Sequence, residues 1–373
     1  MFGSLHLRQI VFSVGHFVLL MAVLMSVPGV LDLLLFREHV WPAFIYPASV
    51  AVFLSGILIL STRGCEVTLS HKDAFFLTTI SWVLLAAEGS IPFQLSALHL
   101  SFTDAYFETM SGLTTTGSTV VSNLDNQPRA ILLWRSMLEW LGGIGIIVFA
   151  LVIFSFIRVG GLHLLRTEFS DKSEKIMPRL HHVATAIGTF YVSLTAVCTL
   201  AYMLLGMTPF DAINHAMTTV STGGFSTHDA SMGYFQNDVI YLTSAFFMLC
   251  AAMPFALYVK AIRRLSFTEI LRDEQVRFLL ASVAVATLLL TGWLFVMRND
   301  LETTYTVPHA IFNIVSVITT TGYASTDYLQ WGMFPIGIFF FLTFFGGCAG
   351  STSGGYKALR FIVIYRMMKR TFF

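Results

Sequence analysis

Long apolar stretches dominate the chain and predict helices that cross a membrane. An α-helix of about 20 apolar residues spans the hydrocarbon core of a bilayer. Eight stretches have a suitable length, near residues 9–30, 41–60, 74–91, 130–157, 184–206, 239–259, 278–297 and 333–366. We therefore predict an all-α membrane protein with eight spanning helices.

Three shorter segments lie between these stretches, and they are too short and too polar to cross. They cover residues near 103–116, 210–222 and 308–321, and each follows one predicted span and precedes the next. A re-entrant helix, which enters the membrane and turns back, has this placement. Irregular backbone at such a depth is tolerated only where protein buries it or where it lines a wet cavity. The pattern thus predicts three re-entrant pore helices, each followed by a loop.

The composition and the positions of the basic residues support this topology. Of the 373 residues, 55% are hydrophobic and only 12% are charged, whereas a soluble domain carries roughly 25% charged residues. With a cytoplasmic N-terminus, all Lys and Arg residues except Arg37, Arg129, Arg135 and Arg298 fall in predicted cytoplasmic segments. Membrane proteins show this excess of positive charge in their cytoplasmic loops. We therefore predict a multi-pass protein in contact with membrane lipid, with its N-terminus in the cytoplasm.

The composition does not support nucleic-acid binding or a metal or catalytic site. The net charge of +1 gives no field that would attract nucleic acid. The four cysteines are far apart, and neither they nor the histidines form a metal-ligand or nucleophile pattern. We expect no cofactor and no enzyme activity.

One motif recurs at the end of each short segment. Residues Ala105–Gly117 and Ala310–Gly322 share an Ala, a Phe, a Ser, three consecutive Thr and a final Gly without a gap. Residues Asp211–Gly223 are more diverged, and we align them so that the three final glycines coincide. This alignment places Asn214 opposite Glu108. Three such copies predict an internal repeat of span, pore loop and span.

The repeat divides the chain into four predicted parts. Residues 1–61 form two N-terminal transmembrane helices. Residues 62–170, 171–266 and 267–373 form the first, second and third helix–pore-loop–helix repeats.

Ion permeation explains the residue types at the repeated positions. A cation that crosses lipid must exchange its water shell for oxygen ligands, and backbone carbonyls of an extended loop supply them. Glycine permits the unusual backbone angles that this needs, and Thr hydroxyls bond neighbouring backbone. The predicted selectivity filter comprises Thr115, Thr116, Gly117, Ser221, Thr222, Gly223, Thr320, Thr321 and Gly322. Glu108 lies inside the first pore helix, where an ionisable group is a candidate for a functional role. We favour the alternative, a packing or hydrogen-bond role behind the filter.

A glycine-rich stretch interrupts the last apolar segment. Five glycines in ten residues should break a helix into a loop within the membrane. Such a break beside a filter predicts a gate, and close helix packing through small residues is the alternative. The predicted gate comprises Gly346, Gly347, Cys348, Ala349, Gly350, Ser351, Thr352, Ser353, Gly354 and Gly355.

These motifs resemble those of the Trk/Ktr/HKT superfamily, and in particular the membrane subunit of bacterial Trk potassium uptake systems. The resemblance rests on residues 111–117 (SGLTTTG), 223–234 (GGFSTHDASMGY), 319–322 (TTTG) and 346–352 (GGCAGST). It implies two N-terminal helices followed by channel-like repeats, aligned glycines that set the preference for K⁺, and a gating loop at the glycine-rich break. A Ser at the first filter glycine accompanies sodium transport in plant relatives, so Gly117 favours potassium.

The resemblance also implies where the protein lies and which partners it has. Members of the family lie in the bacterial inner membrane, transport K⁺, form homodimers and bind a cytosolic nucleotide-binding regulatory subunit. We expect that subunit at the basic loops 158–183 and 260–277. The sequence leaves open whether transport is channel-like or coupled to H⁺ or Na⁺.

The chain departs from the family pattern in the number of repeats. Family members have four repeats around a pseudo-fourfold pore, and three are found up to Phe373. We expect a truncation, with a separate fourth chain or a defective, non-conducting product as alternatives. An alternative of another class is a secondary transporter for a different solute. Such a transporter predicts several charges within the membrane, and the predicted spans hold few, which are Glu88, Arg135 and Glu139.

Overall fold

Helices make up the fold of the described chain. The computed structural model describes residues 6–64, 70–156, 176–297 and 303–372. In these ranges the only strand-like pairing is an isolated bridge between Phe345 and Tyr356. The all-α fold class predicted from the sequence is therefore confirmed for the described residues. Residues 158–175 of the predicted basic loop 158–183 lie outside them.

The described helices are numbered here in chain order. They are α1 Leu7–Leu31, continued by a π-helical turn at Asp32–Phe36, α2 Pro42–Ser61, α3 His71–Gly89, α4 Ile91–Leu95, α5 Phe102–Leu113, α6 Arg129–Phe156, α7 Ile176–Leu204, α8 Pro209–Val220, α9 Asp238–Ala252, α10 Phe255–Arg264, α11 Thr268–Arg272, α12 Glu274–Met297, α13 Thr303–Ile318, α14 Met333–Leu342 and α15 Ala358–Phe372.

Several of these helices have the length and apolarity of a membrane span. Among the described residues five do, namely Leu7–Phe36, Pro42–Ser61, Lys72–Leu95, Val183–Leu204 and Glu274–Val296. A sixth arises if the bent pair α9 and α10 counts as one span. Large apolar side chains point outward from such helices, for example Leu204, which is 87% exposed, and Leu288, which is 72% exposed. Such surfaces suit lipid, while the total of eight spans remains a prediction.

The short helices α5 and α8 begin with the same capping arrangement. The Ser101 hydroxyl accepts a hydrogen bond from the Asp104 N–H at 3.2 Å, and the Thr208 hydroxyl accepts one from the Asp211 N–H at 3.1 Å. Each hydroxyl in turn donates to the carboxylate of its aspartate. Side chains of this kind satisfy N–H groups that have no partner within the helix. The local sequence thus fixes where both helices start.

The predicted continuous span 239–259 differs from the structure, because α9 and α10 meet at an angle of 92°. Met253 lies at the break with extended backbone, φ −90° and ψ 158°, and it precedes Pro254. A proline disfavours helical backbone in the residue before it. The carbonyl of Ala252, freed at the break, accepts a hydrogen bond from the Cys348 N–H at 2.8 Å. The bend therefore has a local cause and a tertiary partner.

The last predicted span, 333–366, is divided as its glycine content predicts. α14 ends at Leu342 and α15 begins at Ala358. Residues Gly346–Gly355 lie in the non-helical segment between them. The helix break is thus present, whereas its role as a gate is a separate question.

Buried side chains hold the short helices in place. The largest apolar cluster joins α7, α8, α9 and α13, and it includes Tyr202, Tyr241 and Phe312. A second cluster joins α1 and α2 to α5 and α6 through side chains such as Phe44 and Trp134. The first cluster includes Val220 at the end of α8, and the second includes Leu113 at the end of α5.

Candidate ion pathway

The three short helices α5, α8 and α13 end in the same backbone turn. In each, two residues separated by one other residue adopt left-handed backbone, which is uncommon outside glycine. These pairs are Thr115 (φ 54°) and Gly117 (φ 75°), Thr222 (φ 54°) and Gly224 (φ 89°), and Thr320 (φ 59°) and Gly322 (φ 83°). The helices consequently stop before the ends predicted from the sequence, 116, 222 and 321.

Hydrogen bonds give the register of the three turns independently. The Thr116 N–H donates to the Ser111 carbonyl at 2.8 Å. In the second and third copies the same bond runs from Gly223 to the Thr218 carbonyl at 3.0 Å, and from Thr321 to the Ser316 carbonyl at 2.9 Å. Each donor is therefore followed by its left-handed glycine.

This register corrects the predicted alignment of the second copy by one residue. Gly224, and not Gly223, has the backbone position of Gly117. The predicted triplet Ser221, Thr222 and Gly223 begins one residue early, and the equivalent triplet ends at Gly224. Our alignment was wrong because it matched only the first glycine of a Gly-Gly pair. Shifting it by one residue brings Ala212 opposite Ala105.

The three loops approach one another closely at the glycines. A Cβ atom added at Gly117 would lie 1.9 Å from the Gly223 carbonyl oxygen, and one added at Gly224 would lie 1.8 Å from the Thr321 carbonyl oxygen. No side chain fits at these distances. At Gly322 an added Cβ would meet no described atom within 4 Å. Neighbouring loops thus pack backbone against backbone, with carbonyl groups at the contacts.

Hydroxyl groups brace the first and third loops in the same way. Thr114 donates to the Met110 carbonyl at 2.7 Å and lies 2.8 Å from the Thr116 hydroxyl. Thr319 lies 2.9 Å from the Thr321 hydroxyl in the third loop. These bonds tie each loop to its own helix, as the repeated Thr residues lead one to expect.

One position in each short helix supports the chain that follows the loop. In the corrected register this position holds Glu108, His215 and Asn313. The Glu108 carboxylate accepts hydrogen bonds from the Thr119 hydroxyl and the Val120 N–H at 2.9 Å each. Glu108 therefore forms hydrogen bonds behind the loop, the role that the sequence analysis favoured.

The other two copies use different chemistry for the same purpose. His215 Nε2 lies 3.0 Å from the Ser226 hydroxyl. The Asn313 amide donates to the Ser325 hydroxyl at 2.9 Å, and its oxygen accepts from the Ser325 N–H at 3.2 Å. The alignment made from the sequence gave Asn214 this place, which the structure assigns to His215.

The glycine-rich segment lies directly against the second and third loops. Thr352 Oγ1 lies 3.1 Å from the Val220 carbonyl oxygen, at the end of α8. The Gly354 N–H donates to the Thr320 hydroxyl at 2.7 Å. The residues predicted as a filter and those predicted as a gate are therefore in contact, a proximity that the sequence alone did not establish.

A polar cluster that sequence reasoning missed joins the loops after α5 and α8. His228 Nδ1 lies 2.5 Å from Asp125, its Nε2 lies 3.4 Å from Asp211, and its ring stacks on Tyr234 with centroids 3.4 Å apart. Burial alone would lower the pKa of His228, but the contacts with the two aspartates raise it overall. The hydrogen bond from His228 lowers the pKa of Asp125. Because Asp125 and His228 are far apart in sequence, no local pattern points to this pair.

Comparison with known proteins identifies the family. The sequence profile of the TrkH family, described as a cation transport protein, matches residues 42–373. The chain belongs to the TrkH family. Among the described residues no group of three or more His, Cys, Asp or Glu could hold a metal ion.

Relatives in the TrkH family match almost the whole chain. It is 42% identical to the Trk system potassium uptake protein TrkI of Halomonas elongata over 94% of this chain and 71% of the relative. It is 40% identical to the Trk system potassium uptake protein TrkH of the same organism, over 98% of this chain and 76% of the relative. The crystal structure of the potassium transporter TrkH from Vibrio parahaemolyticus superimposes with a TM-score of 0.90 at 34% identity. That match covers 98% of this chain and 77% of the other.

Proposed function

We propose that this TrkH-family chain transports potassium ions across a bacterial membrane through a pathway lined by backbone carbonyl groups. The observation that carries the proposal is the threefold recurrence of one left-handed turn after a short helix, with neighbouring turns packed backbone to backbone. The named relatives are potassium uptake proteins at up to 42% identity over nearly the whole chain. Transport of K⁺, and not an enzymatic reaction, is the function that this family membership supports.

The proposed ion ligands are the carbonyl groups of the three turns. In the corrected register these residues are Thr115, Thr116, Gly117, Thr222, Gly223, Gly224, Thr320, Thr321 and Gly322. Carbonyl oxygens can replace the hydration shell of a cation at membrane depth. The preceding helices end at the turns, and the negative ends of their dipoles favour a cation there. Ser221 precedes the second triplet and takes the place of Thr114 and Thr319, which brace their loops.

The proposed architecture follows the predicted division of the chain. Two N-terminal helices, in residues 1–61, precede repeats at 62–170, 171–266 and 267–373. The helices α5, α8 and α13 are the proposed re-entrant helices among eight spans. The three turns are proposed to lie side by side around one axis, as successive units of a pseudo-fourfold pore.

The glycine-rich segment Gly346–Gly355 is the proposed gate. Its contacts with Val220 and Thr320 place it against two of the three turns. The segment therefore has to move relative to these residues if ions are to pass beside it. Glycines make such a movement possible because their backbone has more accessible conformations.

The membrane in which the protein lies, its orientation and its partners are also proposals. We place it in the inner membrane with the N-terminus in the cytoplasm, on the distribution of Lys and Arg in the sequence. A homodimer and a cytosolic nucleotide-binding regulatory subunit are proposed partners. The regulatory subunit would dock at the basic residues of 158–183 and 260–277.

Growth and ion binding together test the proposed function. The chain, extended through a fourth repeat, is produced in a bacterium that lacks its own potassium uptake systems, and growth at low external K⁺ is compared with an empty vector. We expect rescue, and we expect K⁺ to raise the unfolding temperature of the purified chain more than Na⁺ does, because a ligand that binds the native state stabilises it. Membrane insertion without rescue and without a preference for K⁺ would contradict the proposal.

A further inference from the structure

Two buried ionisable side chains lie one turn apart on α6. Arg135 is 1% exposed and Glu139 is fully buried. Charged groups are costly within a membrane and are rare unless they have a function there. By contrast α9, the helix that follows the second turn, has no charged residue after Asp238 at its start. The pair on α6 therefore calls for an explanation.

Arg135 connects the first repeat to the second. Its Nε donates to the Glu108 carboxylate at 2.7 Å, within the first repeat. Its Nη1 donates to the Ser226 carbonyl at 3.0 Å, in the chain that leaves the second turn. The guanidinium also lies 4.1 Å from the centroid of the Phe225 ring. One arginine thus bonds the supports of two different turns.

Glu139 contacts the second turn itself. Its carboxylate oxygens accept the Phe225 N–H at 3.1 and 3.2 Å. A Cβ added at Gly223 would lie 2.2 Å from the Glu139 carboxyl carbon, and one added at Gly117 would lie 3.7 Å from a carboxylate oxygen. The carboxylate therefore lies behind the contact between the first and second turns.

The contact between the second and third turns is built from neutral groups instead. The Tyr323 hydroxyl lies at hydrogen-bond distance from the Thr218 hydroxyl and donates to the His215 carbonyl at 3.2 Å. The Gly233 N–H donates to the Ala324 carbonyl at 3.1 Å. Arg135 and Glu139 are thus particular to the junction of the first two turns.

We infer that Glu139 is a positioning residue that fixes the second turn against the first and so sets which monovalent cation the pathway prefers. Arg135 acts with it, because the two side chains bond the N–H of Phe225 and the carbonyl of the next residue. This inference rests on the proposed function, since it takes the turns as the ion ligands. Discrimination between cations depends on the spacing and number of the ligand oxygens, and Glu139 controls the spacing at one junction.

The bond to Phe225 matters because its loss leaves a buried N–H without a partner. The backbone at Phe225 then shifts toward another acceptor. Gly223 and Gly224 of the second turn directly precede Phe225, so the turn shifts with it. A purely structural role would lower stability and leave the ratio of cation affinities unchanged. A positioning role changes this ratio even in protein that is correctly folded.

The test compares three substitutions of Glu139 in the full chain. Glu139→Leu removes the acceptor at similar volume. Glu139→Asp keeps a carboxyl group but withdraws it by one methylene, and Glu139→Gln keeps an acceptor of the same length without an ionisable group. Glu88→Leu is the matched control, because Glu88 is a buried glutamate of α3 whose carboxylate has no hydrogen-bond partner among the described residues. The readout is the ratio of Na⁺ to K⁺ concentrations that give half-maximal thermal stabilisation of the purified chain.

We expect the Leu and Asp variants to lower this ratio about fivefold to tenfold, as for the loss of one buried hydrogen bond. We expect Gln to stay within about twofold of the original, and Glu88→Leu to leave the ratio unchanged. If the Leu variant does not insert into membranes, the ratio measured for the Asp variant tests the inference. Unchanged ratios in Leu or Asp would overturn the inference.

A filter variant separates this failure from failure of the proposed function. Gly117→Ser is measured beside the Glu139 series. If Gly117→Ser abolishes stabilisation by K⁺ and the Glu139 variants keep the original ratio, the turns bind the ion and Glu139 has no positioning role. If the original chain shows no preference for K⁺ at all, the proposed function itself fails.

Discussion

Thr352 of the glycine-rich segment lies 3.1 Å from the carbonyl oxygen of Val220, the last residue of α8. The same hydroxyl lies 3.1 Å from the carbonyl oxygen of Ala251, beside the bend between α9 and α10. One side chain therefore joins the proposed gate, the second turn and the bend. A movement of the segment has to break these contacts.

The first prediction concerns this side chain. Thr352→Val keeps the shape of the residue and removes its hydroxyl, and we expect a loss of about 1 kcal/mol in the free energy of unfolding. Because the lost contacts hold the segment against the turn, basal uptake of a rubidium tracer into proteoliposomes should rise. Thr343→Val is the control, since among the described residues the Thr343 hydroxyl donates only to the Phe340 carbonyl one turn back. Equal tracer uptake in both variants would contradict a role of Thr352 in closing the pathway.

The second prediction orders the glycines of the proposed filter by the space around them. Gly117→Ala and Gly224→Ala place a methyl group within 2 Å of a carbonyl oxygen, so both should abolish stabilisation by K⁺. Gly322→Ala meets no close atom, and we expect only the cost of left-handed backbone, about 1–2 kcal/mol. Thermal unfolding with and without K⁺ measures both effects.

A glycine outside the pathway provides the control for this series. Gly56 lies in α2 with no atom within 4 Å of an added Cβ. Gly56→Ala should leave the response to K⁺ unchanged and should stabilise the helix by about 0.5–1 kcal/mol. If Gly322→Ala proved as harmful as Gly117→Ala, the geometric distinction between the turns would be wrong.

The third prediction concerns pH and the cluster around His228. The charged and titratable groups that face this ring are Asp125, Asp211 and His215, and Tyr234 stacks on it. The pKa of His228 is raised in the folded protein, so protonation favours the folded state. The resulting stability is fully present below the ordinary histidine pKa of about 6.5. It is lost as the pH rises through the higher pKa of the folded state.

The matching experiment follows the unfolding temperature of the purified chain against pH. The original chain should lose stability relative to His228→Gln, which cannot be protonated, as the pH rises above about 6.5. Asp125→Asn should reduce this dependence, because it removes one of the two carboxylates that raise the pKa. Parallel curves for the original chain and His228→Gln would show that the cluster does not couple protonation to folding.

The sequence predicts the helices well where apolar length alone decides. The predicted spans 9–30 and 41–60 fall within Leu7–Phe36 and close to Pro42–Ser61. The bend at Met253 was missed because the hydropathy is continuous across it, although Pro254 is visible in the sequence. Length and apolarity measure the preference for lipid, and they carry little information on backbone direction.

The candidate site is harder to predict from the sequence than the helices, because the alignment of its three turns depends on backbone angles. Gly223 and Gly224 are adjacent, and the sequence offers either as the partner of Gly117. Only the left-handed backbone of Gly224 and the Gly223–Thr218 hydrogen bond decide between them. Likewise Glu139 reads as one more charge in a span until its contact with Phe225 in the next repeat is known. Contacts between repeats join residues that no local pattern relates.

The last prediction concerns the buried ion pair of Glu108 and Arg135, whose side chains are 0% and 1% exposed. Glu108→Gln leaves the arginine charge without its counter-ion, and breaking a buried pair in this way costs about 3–5 kcal/mol. Replacing both residues removes both charges, so Glu108→Gln combined with Arg135→Met should be more stable than Glu108→Gln alone. A double-mutant cycle on the unfolding free energy measures the difference. Additive losses would mean that the two charges are solvated independently, and Arg135 would then have no electrostatic reason to lie between the two repeats.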